Sequence, residues 1–118
     1  METKNYRVNG RIWLETEQEH QLGPGRHKLL LAIRDLGSIT EAAKKMKMSY
    51  RHAWEIIKEL NSDSGELIVE KNTGGNGGGG SKLTSAGEAL LAQYEHYQRA
   101  FEAFKSELNK FQKNECRN

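Results

Sequence analysis

At 118 residues, the chain has room for one domain of ordinary size. It is polar (36% hydrophobic, 29% charged, mean hydropathy -0.83), yet several apolar stripes argue against wholesale disorder. No apolar run approaches the ~20 residues of a membrane-spanning helix, and METKNYRVNGR at the N-terminus lacks the apolar core of a secretory signal. The single Cys116 excludes an internal disulfide framework and a cysteine-based zinc site, so a soluble protein of a reducing compartment, the cytoplasm, is expected. Net charge is only +2, from 18 Lys+Arg against 16 Asp+Glu, and that total does not by itself suggest a polyanionic partner.

In chain order, Tyr6-Arg7-Val8 and Arg11-Ile12-Trp13-Leu14-Glu15 lean towards strand, with Asn9-Gly10 as a turn between them. From Pro24 to Leu36 the pattern becomes helical: Pro24 suits a first turn, and Leu29, Leu30, Ile33 and Leu36 share a face. Gly37 ends this helix. Ser38 starts the next, with Glu41 placed for a reciprocal capping box and Ile39, Ala42, Ala43 and Met46 as its apolar stripe. Lys47-Met48 breaks that short helix. Ser49 then caps another, extending to Leu60, with Ala53, Trp54, Ile57 and Leu60 turned inward. Two short helices with a tight connection predict a helix-turn-helix, because the small Ala42 and Ala43 permit a close, steep crossing.

Leu67-Ile68-Val69 reads as a strand and Lys82-Leu83 as its return, with the glycine-rich TGGNGGGGS between them. That makes a wing. Gly75-x-Gly77-x-x-Gly80 also fits a dinucleotide fingerprint, but a tract so rich in glycine matches almost automatically and no βαβ unit surrounds it. A passive tether is the bland alternative. From Ser85, or from Thr84 as an equally good cap, a last helix runs to about Lys113. Its residues Leu90, Tyr94, Tyr97, Phe101, Phe104, Leu108 and Phe111 step by 4, 3, 4, 3, 4, 3. Such a seam, on a helix roughly 43 Å long, is more than a small head can cover and calls for a partner helix.

Charge is concentrated on the helix-turn-helix: Lys44, Lys45, Lys47 and Arg51 lie within eleven residues, with His52 beside them and no acid before Glu55. A solvated helix face would show the same run, so the surroundings must decide. His20, His27, His52 and His96 show no ligand spacing, and no nucleophile, base and orienting group are grouped. No enzyme, metal or cofactor is expected.

The stretch GSITEAAKKMKMSYRHAWEIIKELN, followed by LIVEK, the TGG and GGGG runs and LTSAGEALL, resembles the winged helix-turn-helix domain of the ModE molybdate-responsive regulators. It resembles LysR-type regulators more distantly. The match runs from about Arg26 to Leu91 and includes the paired alanines, the SY-x-x-AW-x-x-I helix start and the glycine wing. The resemblance implies an α+β winged helix-turn-helix that binds double-stranded DNA as a homodimer through the long C-terminal helix. Residues 1–83 would form the DNA-binding head with its N-terminal β segment, and 84–118 the dimerisation helix of the same structural domain. ModE proteins of full length carry oxyanion-binding domains after this helix, and the sequence ending at Asn118 has none, so molybdate sensing by this chain is not implied.

In that arrangement the second helix of the pair enters the major groove leading end first. Arg51 is the first candidate for a base or phosphate contact, since its planar fork matches guanine. Ser49 and Tyr50 can donate to phosphate at a helix N-terminus, while His52 and Glu55 lie on the outer face. Lys44, Lys45, Lys47 and, more weakly, Lys58 would sit over flanking phosphates. Lys71 and Lys82 would charge the wing stems, with Gly75 and Gly77 letting the tip approach the duplex. The rival reading is a protein-interaction module built on the long helix, which predicts no salt-dependent DNA binding. A weaker one, a nucleotide-binding enzyme on the glycine tract, predicts thermal stabilisation by nucleotides.

Overall fold

Pro24 opens the first helix of the computed structural model, which describes residues 6–71 and 80–116, with side chains as far as 110. The elements are β1 (Leu14–Glu15), β2 (Gln21–Leu22), α1 (Pro24–Leu36), α2 (Ile39–Lys45), α3 (Tyr50–Ser64), β3 (Val69–Lys71), β4 (Ser81–Leu83) and α4 (Ser85–Cys116). The strands form two antiparallel pairs, β1 with β2 and β3 with β4. One core joins Leu29, Leu30 and Ile33 of α1, Ala42 and Ala43 of α2, Ala53, Ile57 and Leu60 of α3, Ile68, and Leu91 and Tyr94 of α4. Both alanines of α2 are buried where it packs on its neighbours, as their small volume requires.

Helix ends follow the sequence closely. Gly37 terminates α1 in the left-handed region (φ 68°), with its N–H donating to the Ile33 carbonyl at 2.8 Å. The Ser38 hydroxyl oxygen accepts the Glu41 N–H at 3.1 Å, which is half of the expected capping box. The other half is absent: the Glu41 carboxylate turns instead to Lys44, 3.4 Å away. Ser49 caps α3 through the His52 N–H, but the helix continues past Leu60 to Ser64 and stops at Gly65. At α4 the choice falls on Thr84, whose Oγ1 accepts the Gly87 N–H at 3.1 Å.

Three expectations at the periphery are corrected. The N-terminal hairpin lies later in the chain, pairing Leu14 with Leu22 and Glu15 with Gln21. Tyr6–Val8 is not a strand; the Asn109 side chain on α4 takes both the N–H and the carbonyl of Val8 (2.9 and 3.1 Å), and Lys105 holds Asn9. Leu36 and Leu67, read as an inward helix residue and a strand residue, are both exposed. The stretch before β3 is held by a side chain as well as by the Thr84 N–H, which donates to the Ile68 carbonyl at 3.0 Å. Asn61 Oδ1 accepts the N–H groups of Ile68 (2.7 Å) and Val69 (3.2 Å), fastening the wing to α3. Asn61→Ala would strand these donors, and urea unfolding should show a loss of about 1–3 kcal/mol. No change would mean that water replaces the amide.

The aromatic seam of α4 is divided along its length. Tyr94, expected at a dimer interface, is 0% exposed, and its hydroxyl donates to the Ile12 carbonyl at 3.2 Å within the same chain. It belongs to the chain's own core because the N-terminal segment lies over that side of the helix. Phe101 is half-buried, with its ring against Gly10. Burial pushes the Tyr94 phenol above its ordinary value of 10.0, so the neutral donor persists at physiological pH. Its stabilising effect is complete below that ordinary value and is lost as pH rises through the raised one. Tyr97 and Phe104, seven residues apart on one side of α4, remain 45% and 59% exposed. Leu90 packs on the core and Leu108 is half-buried, while the side chain of Phe111 lies outside the described residues.

Candidate nucleic-acid interface

The connection between α2 and α3 sets the geometry of the site. Lys47 adopts a left-handed conformation (φ 58°), its N–H donates to Lys44 O (3.1 Å), and the Met48 N–H reaches back to Ala43 O (3.0 Å). This is a Schellman closure with lysine where glycine is usual. It turns the chain sharply enough for Ser49 to start α3 at once. The leading end of α3 then points outward with no acid in its first turn, and the backbone N–H groups of its first residues are free of intrahelical acceptors.

Ala53, Ile56, Ile57 and Leu60 face the core, which leaves Tyr50, Arg51, His52, Glu55 and Lys58 on the exposed face of α3. The Arg51 side chain is 90% exposed and lies 3.4 Å from Glu55 one turn on. A pair so exposed holds its partners weakly, so the guanidinium can exchange it for another acceptor. Lys44, Lys45 and Lys47 are exposed on α2 and its C-terminal turn; Lys44 pairs with Glu41, and Lys45 and Lys47 pair with no described acid. The lysines of α2 and its turn and the residues at the head of α3 are thus all exposed around the tight connection between the two helices.

The wing stems flank this surface. Lys82 on β4 stands opposite Glu70 and pairs with it at 3.6 Å. Lys71, at the end of β3, turns back to α3: its Nζ is 3.2 Å from the Tyr50 hydroxyl and 4.3 Å from the Trp54 ring centroid. Trp54 packs against the core, as its register beside Ile57 predicts. Gly75 and Gly77 lie outside the described residues. Sequence reasoning missed Asn61 and Gly87, which seat the wing on α3 and α4; Thr84 was legible as a helix cap but not as the residue whose N–H also holds the Ile68 carbonyl.

A helix-turn-helix followed by a two-stranded wing, with exposed cations on both helices of the pair, defines the class of winged-helix regulatory domains. The family model for bacterial regulatory helix-turn-helix proteins of the LysR family matches residues 26–88, and the chain belongs to that family. It is 40% identical over 100 residues to the transcriptional regulator ModE of Yersinia pestis, a match covering 81% of this chain and 38% of that protein. It is also 40% identical over 84 residues to the DNA-binding transcriptional dual regulator ModE of Escherichia coli strain K12, covering 71% of this chain and 32% of that one. The chain thus spans about a third of the length of these relatives. The fold is similar to that in the crystal structure of the DNA complex of the CbnR DNA-binding domain, with TM-score 0.53 and 22% identity over 69% of this chain and 87% of that one.

Proposed function

We propose that this protein is a transcriptional regulator that binds double-stranded DNA sequence-specifically as a homodimer, with no catalytic role. The observation that carries the reading is the exposed leading end of α3, where the Arg51 side chain is 90% exposed one tight turn after the exposed lysines of α2. Inserted in the major groove, α3 offers Arg51 to a base edge, with guanine its best match. Ser49, Tyr50 and the first backbone N–H groups would meet phosphate, and His52 and Glu55 the groove wall. Lys44, Lys45, Lys47 and Lys58 would hold the flanking backbone without reading sequence, and Lys82 with Gly75 and Gly77 would bring the wing to the duplex. The names of the ModE relatives, as transcriptional regulators, support the same reading. Among the described residues no helix is long and apolar enough to cross a membrane, which is consistent with a cytoplasmic place of action.

Fluorescence anisotropy against the protein's own upstream region and a scrambled duplex, across a salt series, tests the reading. It predicts preference for the former and a steep fall of affinity with salt. Affinity indifferent to salt and sequence would favour an interaction module built on α4.

Dimerisation rests on the exposed side of α4. Tyr97 and Phe104, with the half-buried Leu108 along the same helix, offer a surface that can meet its own copy about a two-fold axis. Two such heads would span half-sites about one helical turn, ~34 Å, apart or a multiple of it. Phe104→Asp places a charge there. In sedimentation it should shift the protein to the monomer and weaken binding to paired half-sites at least about tenfold, while leaving single half-site binding intact. A variant that stayed dimeric would remove this face from the interface.

A further inference from the structure

Lys71 does not stand free at the wing stem; its ammonium rests over the Trp54 indole at 4.3 Å and donates to the Tyr50 hydroxyl at 3.2 Å. Trp54 is itself held by the core, and Tyr50 lies one helical turn before it on the same side of α3. The lysine, the last residue of β3, is therefore seated on a platform formed by Tyr50 and Trp54 in the first turns of α3.

An ammonium has donors only, so the Tyr50 oxygen must act as acceptor in this contact. Its own O–H proton is left to point elsewhere, and hydrogen-bond cooperativity makes it a stronger donor. Tyr50 remains well exposed at the leading end of α3. We propose that Lys71 is a positioning residue that locks Tyr50 as a hydrogen-bond donor towards an acceptor atom on the DNA, and ties the wing to the recognition helix. The proposal rests on the DNA-binding reading above and assigns Lys71 a role other than phosphate contact. The acceptor is a purine N7, guanine O6, thymine O4 or a phosphate oxygen; the amino group of cytosine would be refused.

The test uses the full chain and a duplex selected by the wild-type protein from a random pool. Tyr50→Phe and Lys71→Met should each weaken binding about tenfold. The double variant should lose no more than the worse single one, and Lys71→Arg, which keeps charge and donors, should restore most of the affinity. The salt dependence of Lys71→Met should match that of the wild type. Additive losses, or a salt slope reduced by about one phosphate with Tyr50→Phe silent, would overturn the proposal in favour of a plain phosphate contact. A Tyr50→Phe loss confined to the selected duplex identifies a base edge, and a loss shared by a scrambled duplex identifies phosphate.

A readout without DNA separates this inference from the function it rests on. In a Trp13→Phe background Trp54 is the only indole, and Lys71→Met should shift its fluorescence emission while thermal melting is preserved. Unchanged emission overturns the clamp whatever the DNA result. If the emission shifts but the wild type binds no duplex, the DNA-binding reading fails, and Tyr50's proposed acceptor falls with it.

Discussion

Replacing Arg51 by alanine should weaken binding to the preferred duplex by about ten- to a hundredfold and leave binding to scrambled DNA much less affected. The guanidinium projects from the second residue of α3, where a recognition helix meets base edges, and among the described residues only an exposed pair with Glu55 holds it. On the proposed function its loss would remove a bidentate, discriminating contact, so the ratio of matched to scrambled affinity should collapse. Lys45→Ala provides the contrast. Lys45 lies exposed on α2 and, if it meets the duplex backbone as proposed, should contribute equally to all sequences, so its loss should flatten the salt slope by about one phosphate. Anisotropy titrations of both variants on both duplexes decide the matter: identical behaviour would mean that Arg51 reads no base.

Gly87→Ala should lower the melting temperature by roughly 5–15 °C, a large effect for one methyl group in a helix. Alanine is the better helix former by about 1 kcal/mol, so propensity alone predicts the opposite sign. Packing outweighs it. A Cβ built on Gly87 would stand 2.3 Å from the Ile68 carbonyl oxygen, which is backbone and cannot swing aside. The same carbonyl accepts the Thr84 N–H at 3.0 Å, so moving it breaks the joint between wing and α4. Moving α4 instead would pull Leu91 and Tyr94 from the core. A melting temperature equal to or above the wild type would show that the joint is loose. Because that joint seats β3 against α3, the variant should also weaken DNA binding more than its stability loss accounts for.

What the sequence determined by itself is local. The helix-turn-helix was legible because its signals are contiguous: Gly37 as a stop, Ser38 and Ser49 as caps, Ala42 and Ala43 as the close approach, and a 3–4 period that identifies the inward face of α3. Once the core face is known, the outward residues follow, and with them the whole cationic surface from Lys44 to Lys58. The return strand at Lys82-Leu83 was legible for the same reason, as a short β-leaning stretch after a glycine break.

Only the tertiary structure decided which partner each peripheral segment takes. Tyr6–Val8 has the composition of a strand, but its backbone groups find Asn109, about a hundred residues away, and no local pattern encodes that meeting. Tyr94 carries the same heptad-like signature as Tyr97, yet the N-terminal segment covers one and leaves the other exposed. Lys71 reads as one more wing cation until α3 supplies Trp54 and Tyr50 beneath it. Helix periodicity reports which residues are apolar on a face, a property of neighbours in sequence. Which surface covers that face is settled by long-range packing, where burial and backbone hydrogen-bond satisfaction compete over the entire chain.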